Sequence, residues 1–177
     1  MTQESESNLV VRCQLGDRDA WESLVMRWHP RLWRFIFGML GNRPTAEDAL
    51  QDTWLQIVRS LIRLREPERL EAWMYQIARR VIADRLREQY RRPASEAFID
   101  MAEEPVELGA IEALDSLRSA LIQLHPSDRE SVVLYYLEGK TLDEVAAICN
   151  VPSGTIKSRL HRARCQLGKI LKKESGL

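Results

Sequence analysis

TLDEVAAICNVPSGTIKSRLHRAR, residues Thr141 to Arg164, reads as two amphipathic helices joined by a tight turn. Thr141 followed three residues later by Glu144 has the spacing of a capping box, which starts the first helix. That helix ends at Asn150, a residue that tolerates the left-handed conformation a tight turn demands. Pro152 suits the first turn of the next helix, where its missing N–H would have no partner anyway. Ile156, Leu160, Ala163, Leu167 and Ile170 then fall on one stripe, and the opposite face carries Lys157, Ser158, Arg159, His161, Arg162 and Arg164. Small residues at the start of the helix, Ser153 and Thr155 among them, permit close approach, and the cations can reach phosphates or guanine edges in a major groove. The alternative is an ordinary solvated basic face on a bundle helix.

Outward from this segment the chain reads as helical throughout. No alternating β-branched run bounded by hairpin turns is present. The second half gives helices over about 112–124, 127–138, 141–149 and 152–173, with His125-Pro126 and Glu138-Gly139 as breaks. In the first half, Trp21, Leu24, Val25 and Trp28 repeat at helical spacing, and Leu32, Phe35, Ile36 and Met39 resume the pattern after Pro30. A break at 41–44 precedes a helix that Thr45 can cap, with Glu47 and Asp48 in the first turn, where the helix dipole favours anions. Its apolar stripe is Ala49, Leu50, Trp54, Ile57, Val58 and Leu61. After Glu66-Pro67, a long helix over about 69–91 buries Leu70, Trp73, Met74, Ile77, Val81, Ile82 and Leu86. The expected fold class is all-α, with two small helical domains.

The charge supports that division. The 177 residues carry 26 Lys+Arg and 26 Asp+Glu, a net charge of +0 that excludes a uniformly basic coat. Residues 1–92 hold 16 basic and 13 acidic side chains, residues 93–117 hold seven acidic and no basic ones, and residues 118–177 hold 10 basic and 6 acidic. Two basic ends therefore flank an acidic middle, and such asymmetry reports partners better than the total does. We read 1–92 as one domain, 93–111 as an acidic flexible linker and 112–177 as a second domain. At about 60 residues the second can bury only a modest core. No apolar run is long enough to span a membrane. The polar, acidic start lacks a secretion pattern, so a cytoplasmic protein is expected. Three widely spaced cysteines, Cys13, Cys149 and Cys165, point to reduced thiols rather than a disulfide framework.

Two further features carry chemistry. Asp48, Gln51 and Asp52 share a helical face by their i, i+3, i+4 spacing, which either docks on a basic protein surface or is simply solvated. The 69–91 helix begins with aromatics and continues with Arg79, Arg80, Arg85 and Arg87, a pattern able to stack on bases and hold phosphates. Trp73 itself reads as a core residue.

These stretches together resemble a bacterial RNA polymerase sigma factor of the extracytoplasmic-function (ECF) group in the sigma-70 family. Thr45 to Leu55, TAEDALQDTWL, resembles the core-binding helix of region 2, and Glu71 to Arg87 resembles its melting and minus-ten recognition helix. Leu124 to Glu130, Tyr136 to Gly139 and Pro152 to Arg164 resemble region 4. The resemblance covers nearly the whole chain. It implies that Asp48, Gln51 and Asp52 bind the clamp helices of the largest polymerase subunit. It implies that Arg79, Arg80, Asp84 and Arg87 meet minus-ten DNA, with an unstacked base captured near Leu64–Arg69. Capture costs a few kcal/mol of stacking and needs a shaped pocket, yet the Arg-rich loop from Ser60 to Glu71 offers no aromatic. It implies further that Ser153, Thr155, Lys157, Ser158, Arg159, His161 and Arg162 read the minus-thirty-five element, while other faces of region 4 meet the polymerase flap. Core RNA polymerase and promoter DNA are the expected partners, and an anti-sigma factor is compatible with the family. In the family the linker threads a basic cleft, where an acidic segment could mimic RNA; a plain soluble tether is the other reading.

No catalytic grouping or phosphate loop is present, so an enzyme is not expected, nor a cofactor. His161 and Cys165 lie four apart, but two ligands are too few for a structural zinc site. His29 and His125 both precede proline and read as helix-end residues. A dimeric helix-turn-helix repressor and a pure adaptor are the rival readings; neither needs both the docking face and the arginine helix.

Overall fold

The computed structural model describes residues 5–91 and 116–174. The expected linker at 93–111 lies outside the described residues. Within them every regular element is a helix or helical turn: α1 (Glu6–Gln14), α2 (Arg18–Leu40), α3 (Arg43–Ser60), α4 (Leu70–Arg91), α5, whose described part is 116–122, α6 (Pro126–Val132), α7 (Leu142–Cys149) and α8 (Ser153–Glu174). Two 3-10 turns, Leu61–Arg63 and Pro67–Arg69, link α3 to α4. A π turn, Val133–Leu137, extends α6.

The first lobe, α1–α4, closes around aromatic side chains. Trp28, Phe35 and Tyr75 are fully buried. The Tyr75 ring meets Trp28 edge-on at 5.9 Å and Phe35 edge-on at 5.2 Å. Edge-to-face pairs of this kind contribute about 1 kcal/mol beyond the area they bury. Pro30 lies inside α2 rather than ending a helix, and His29 is therefore mid-helix, against the expectation for both. An internal proline costs roughly 3 kcal/mol. The buried run Leu24, Trp28, Leu32, Phe35, Ile36 and Met39 spans both sides of it and keeps the helix continuous by packing. Val25 and Val58, expected on apolar stripes, are instead 39% and 56% exposed.

Caps explain the other boundaries. α1 was not anticipated; it is short and largely polar. Ser5 caps it, and the Gln14 side-chain amide donates to the carbonyls of Leu61 (3.0 Å) and Leu64 (2.8 Å), tying it to the turn after α3. Asp17 caps α2 by accepting from the amides of Asp19 and Ala20. The hydrogen bond from Arg12, then those backbone amides, hold the Asp17 carboxyl below its usual range. α3 begins earlier than Thr45: Asn42 Oδ1 accepts from Thr45 N at 3.0 Å and from its hydroxyl at 2.7 Å, and Pro44 sits in the first turn. Asn is the stronger cap and proline is preset for the first turn, so together they move the start.

The second lobe packs on the first. Gly41 ends α2 at φ 70°, and a Cβ there would lie 1.8 Å from Ile122 Cδ1, so both the backbone and the approach of α5 require glycine. A Cβ on Gly38 would come within 3.1 Å of Val133, which places the π turn directly against α2. Arg129, only 4% exposed, donates to the carbonyl of Met39 at 2.5 Å, to that of Leu124 at 3.2 Å and to that of Ile122. One guanidinium thus satisfies carbonyls at the ends of α2 and α5 together.

Candidate nucleic-acid interface

The turn between α7 and α8 is built as the sequence suggests. Thr141 Oγ1 accepts from Glu144 N at 3.3 Å and Glu144 Oε2 accepts from Thr141 N at 2.7 Å, a complete capping box. The Thr141 backbone bond, then its hydroxyl, keep the Glu144 carboxyl below its ordinary range. Asn150 takes φ 54° and ψ 50°, the left-handed cap. Pro152 stands immediately before α8, and its carbonyl accepts from Thr155 N at 2.9 Å and Ile156 N at 3.3 Å.

α8 then divides by burial. Ile156, Leu160 and Ala163 are buried against the lobe, whereas Lys157, Ser158, His161, Arg162 and Arg164 are exposed. Ser153, Thr155 and Arg159 are half-buried along the margin. Arg162 is already engaged: Asp128 accepts from its Nη2 at 2.8 Å and from its Nε at 3.1 Å, a bidentate pair. That hydrogen-bonded carboxylate raises the Arg162 pKa. His161 Nε2 lies 3.8 Å from Cys165 Sγ, and among the described residues no group of three or more His, Cys, Asp or Glu side chains could hold a metal.

On α4 the expected DNA residues do not share one environment. Arg80 is exposed. Arg87 and Asp84 are exposed and bonded to each other. Arg79 is drawn into the protein: Glu130 Oε1 accepts from its Nε at 2.5 Å, Glu130 Oε2 from its Nη2 at 3.2 Å, and the Ile148 carbonyl from its Nη1 at 2.8 Å. Burial works against the charge of Arg79, but the Glu130 hydrogen bonds and charge outweigh it and raise its pKa. Cys149 shares that carboxylate, with Sγ 3.4 Å from Glu130 Oε2. Burial, then the Glu130 charge, push its thiol up to about 12.

On α3, Asp48 and Gln51 are exposed, whereas Asp52 is half-buried and bonded to Arg85 of α4. The face does not stop there. Leu55, Val58 and Ile62 follow at helical spacing and are 46%, 56% and 69% exposed, so the acidic end continues into an apolar stripe. Sequence reading counted Val58 as core and did not see this extension. It also missed the partners of Arg79: Glu130 lies 51 residues away in the chain, and no local pattern signals such a pairing. The loop after α3 exposes Arg63, Arg65 and Arg69 around a half-buried Leu64.

A helix-turn-helix with a cationic outer face, set in an all-helical two-lobed chain, defines a DNA-binding protein of the transcription apparatus. The family description "Sigma-70 region 2" matches residues 24–92, and "Sigma-70, region 4" matches residues 114–167. The chain is 36% identical over 160 residues to the RNA polymerase sigma factor CarQ of Myxococcus xanthus, covering 88% of this chain and 91% of the relative. It is 28% identical to the ECF RNA polymerase sigma factor SigW of Bacillus subtilis, covering 92% and 95%. Its fold is similar to that of the sigma factor RpoE of Bartonella quintana, solved in complex with the anti-sigma factor NepR (TM-score 0.73, 29% identity, 86% of this chain and 96% of that one). CnrH, solved with the cytosolic domain of CnrY, shares the fold at TM-score 0.76 and 23% identity over 96% and 99% of the two chains. The chain belongs to the sigma-70 family of RNA polymerase sigma factors, in its ECF group. It is a non-catalytic subunit of promoter-specific transcription, and among the described residues no helix is long and apolar enough to cross a membrane.

Proposed function

We propose that this chain docks on core RNA polymerase through α3 and reads two promoter elements, the minus-ten element with α4 and the minus-thirty-five element with α8. The observation that carries the reading is the division of α8: a buried apolar stripe fixes the helix, and exposed Lys157, Ser158 and His161 are left for a groove. The run Asp48, Gln51, Leu55, Val58 and Ile62 supports docking, because a polar end beside an exposed apolar stripe is the composition of a protein interface rather than of a solvated face. Residues 1–92 act as the docking and melting module, 112–177 as the upstream reader and 93–111 as the strap between them. The working compartment is the cytoplasm, where polymerase and promoter meet. An anti-sigma factor is a fitting regulator, since the RpoE relative was solved with one.

The test is a mobility shift on promoter DNA with and without core polymerase. A shift that needs both proteins supports the reading. Tight, symmetric binding by the chain alone contradicts it in favour of a dimeric repressor. Binding should weaken steeply with salt, by close to one power of the salt concentration for each phosphate neutralised.

A further inference from the structure

Asp128 sits in the first turn of α6 with its side chain only 7% exposed, and both its oxygens go to an outward-facing residue of α8. Oδ2 accepts from Arg162 Nε at 3.1 Å and Oδ1 from Arg162 Nη2 at 2.8 Å, while the Arg162 side chain stays 59% exposed. A buried carboxylate is costly unless it is paired and hydrogen-bonded, so this one keeps its arginine in place. Gln166, one turn further along the same side of α8, donates to the Gln123 carbonyl just past α5 at 3.1 Å and fixes that side of the helix. Among the described residues, Lys157 and Arg164 on the exposed face have no such carboxylate partner.

The covalent shape of the guanidinium decides which donors remain. Its five N–H bonds lie in one plane. The two that point sideways, from Nε and Nη2, are taken by Asp128. The two that point straight out, from Nη1 and Nη2, are parallel and face no other partner among the described residues. Charge then selects among the acceptors that DNA offers. The Arg162–Asp128 pair is neutral as a unit, so the phosphate backbone attracts it far less than it attracts Lys157 or Arg164. A guanine edge in the major groove presents O6 and N7, two uncharged acceptors side by side. A guanidinium already clamped in the free chain also gives up little side-chain freedom on meeting them.

We propose that Asp128 is a positioning residue of the reading face: it occupies the side-on fork of Arg162 and leaves the end-on pair aimed outward, so that Arg162 selects a guanine instead of gripping a phosphate. The inference rests on the reading of α8 as the minus-thirty-five helix, and its test separates the two. The full chain, bound to core polymerase, selects from a promoter of its own genome randomised across the upstream element, and the bound sequences are counted. Wild type is compared with Arg162→Lys, Asp128→Asn and the double variant, and the melting temperature of each is recorded. Lysine keeps the cation but lacks the planar pair. Asparagine keeps the shape of Asp128 but turns an amide N–H toward an arginine donor. Arg162→Lys is expected to lower the preference for guanine at one upstream position about tenfold and to leave the other positions unchanged. Asp128→Asn should lower the same preference at the same position, and the double variant should lower it no further, because one residue acts through the other. If Asp128→Asn fails to fold, Asp128→Glu, which keeps the charge but moves the carboxylate by one methylene, takes its place with the same expectation. A uniform loss across all positions, an additive loss in the double variant, or a guanine preference that survives both substitutions would overturn the inference and leave the reading of α8 standing. A wild-type chain with no preference at any upstream position would strike that reading itself, and the inference would fall with it.

Discussion

The two lobes are held together by different chemistry. The first closes on Trp28, Phe35 and Tyr75, and the hydroxyl of its buried Thr53 donates to the Ala49 carbonyl at 2.7 Å. The second buries Asp128, Arg129, Glu130 and Ser131 in succession on α6. Two of those four reach into the first lobe, Arg129 to the Met39 carbonyl and Glu130 to Arg79. An aromatic core specifies a lobe by itself, whereas a helix of buried charges is satisfied only when its neighbour is in place. The second lobe is therefore the dependent one.

That contrast can be broken by substitution. Trp28→Ala should cost the most, about 3–5 kcal/mol, because a fully buried indole leaves a large cavity. Chemical denaturation should report the loss as a lowered midpoint. Arg129→Met should cost about 3 kcal/mol by leaving carbonyls at the ends of α2 and α5 without a donor. Amide exchange should show that loss concentrated in α5 and α6, while α3 keeps its protection. Lys157→Ala and Arg159→Ala should each reduce promoter use by about 1–3 kcal/mol of binding and spare core polymerase binding. Equal loss of both activities would contradict the separation of docking from reading. Thr141→Ala should cost about 1 kcal/mol through the lost cap, seen as a small fall in melting temperature with α8 intact. The smallest effect is chemical. At pH 8 a thiol held at about 12 is almost wholly protonated, so Cys149 should resist alkylation while exposed Cys165 reacts. Mass spectrometry of the labelled chain checks this.

Local features were legible in the sequence. The capping box at Thr141, the left-handed Asn150 and the stripe of α8 depend on neighbours within a few residues, and the structure has all of them. The long helix over 69–91 appears as Leu70–Arg91 for the same reason. Non-local features were not legible. Pro30 reads as a break until the packing on both sides of it is known. Tyr75 is absent from the apolar stripe read along its helix, yet Trp28, Phe35 and Glu138 enclose it, and burial raises its pKa well above the usual tyrosine range. Arg34 and Glu138 are 104 residues apart, so nothing in either segment points to the other. The exposed cationic side of α8 was visible because one helix carries both its core and its cations. The pairing of Arg79 with Glu130 was not, because it belongs to two lobes.

The central claim is that this chain gives core polymerase its choice of start site. Run-off transcription with purified core polymerase tests it directly, on a template carrying a promoter from the chain's own genome. A discrete transcript that forms only when the chain is added is the predicted result. Transcription that is the same with and without it would contradict the account.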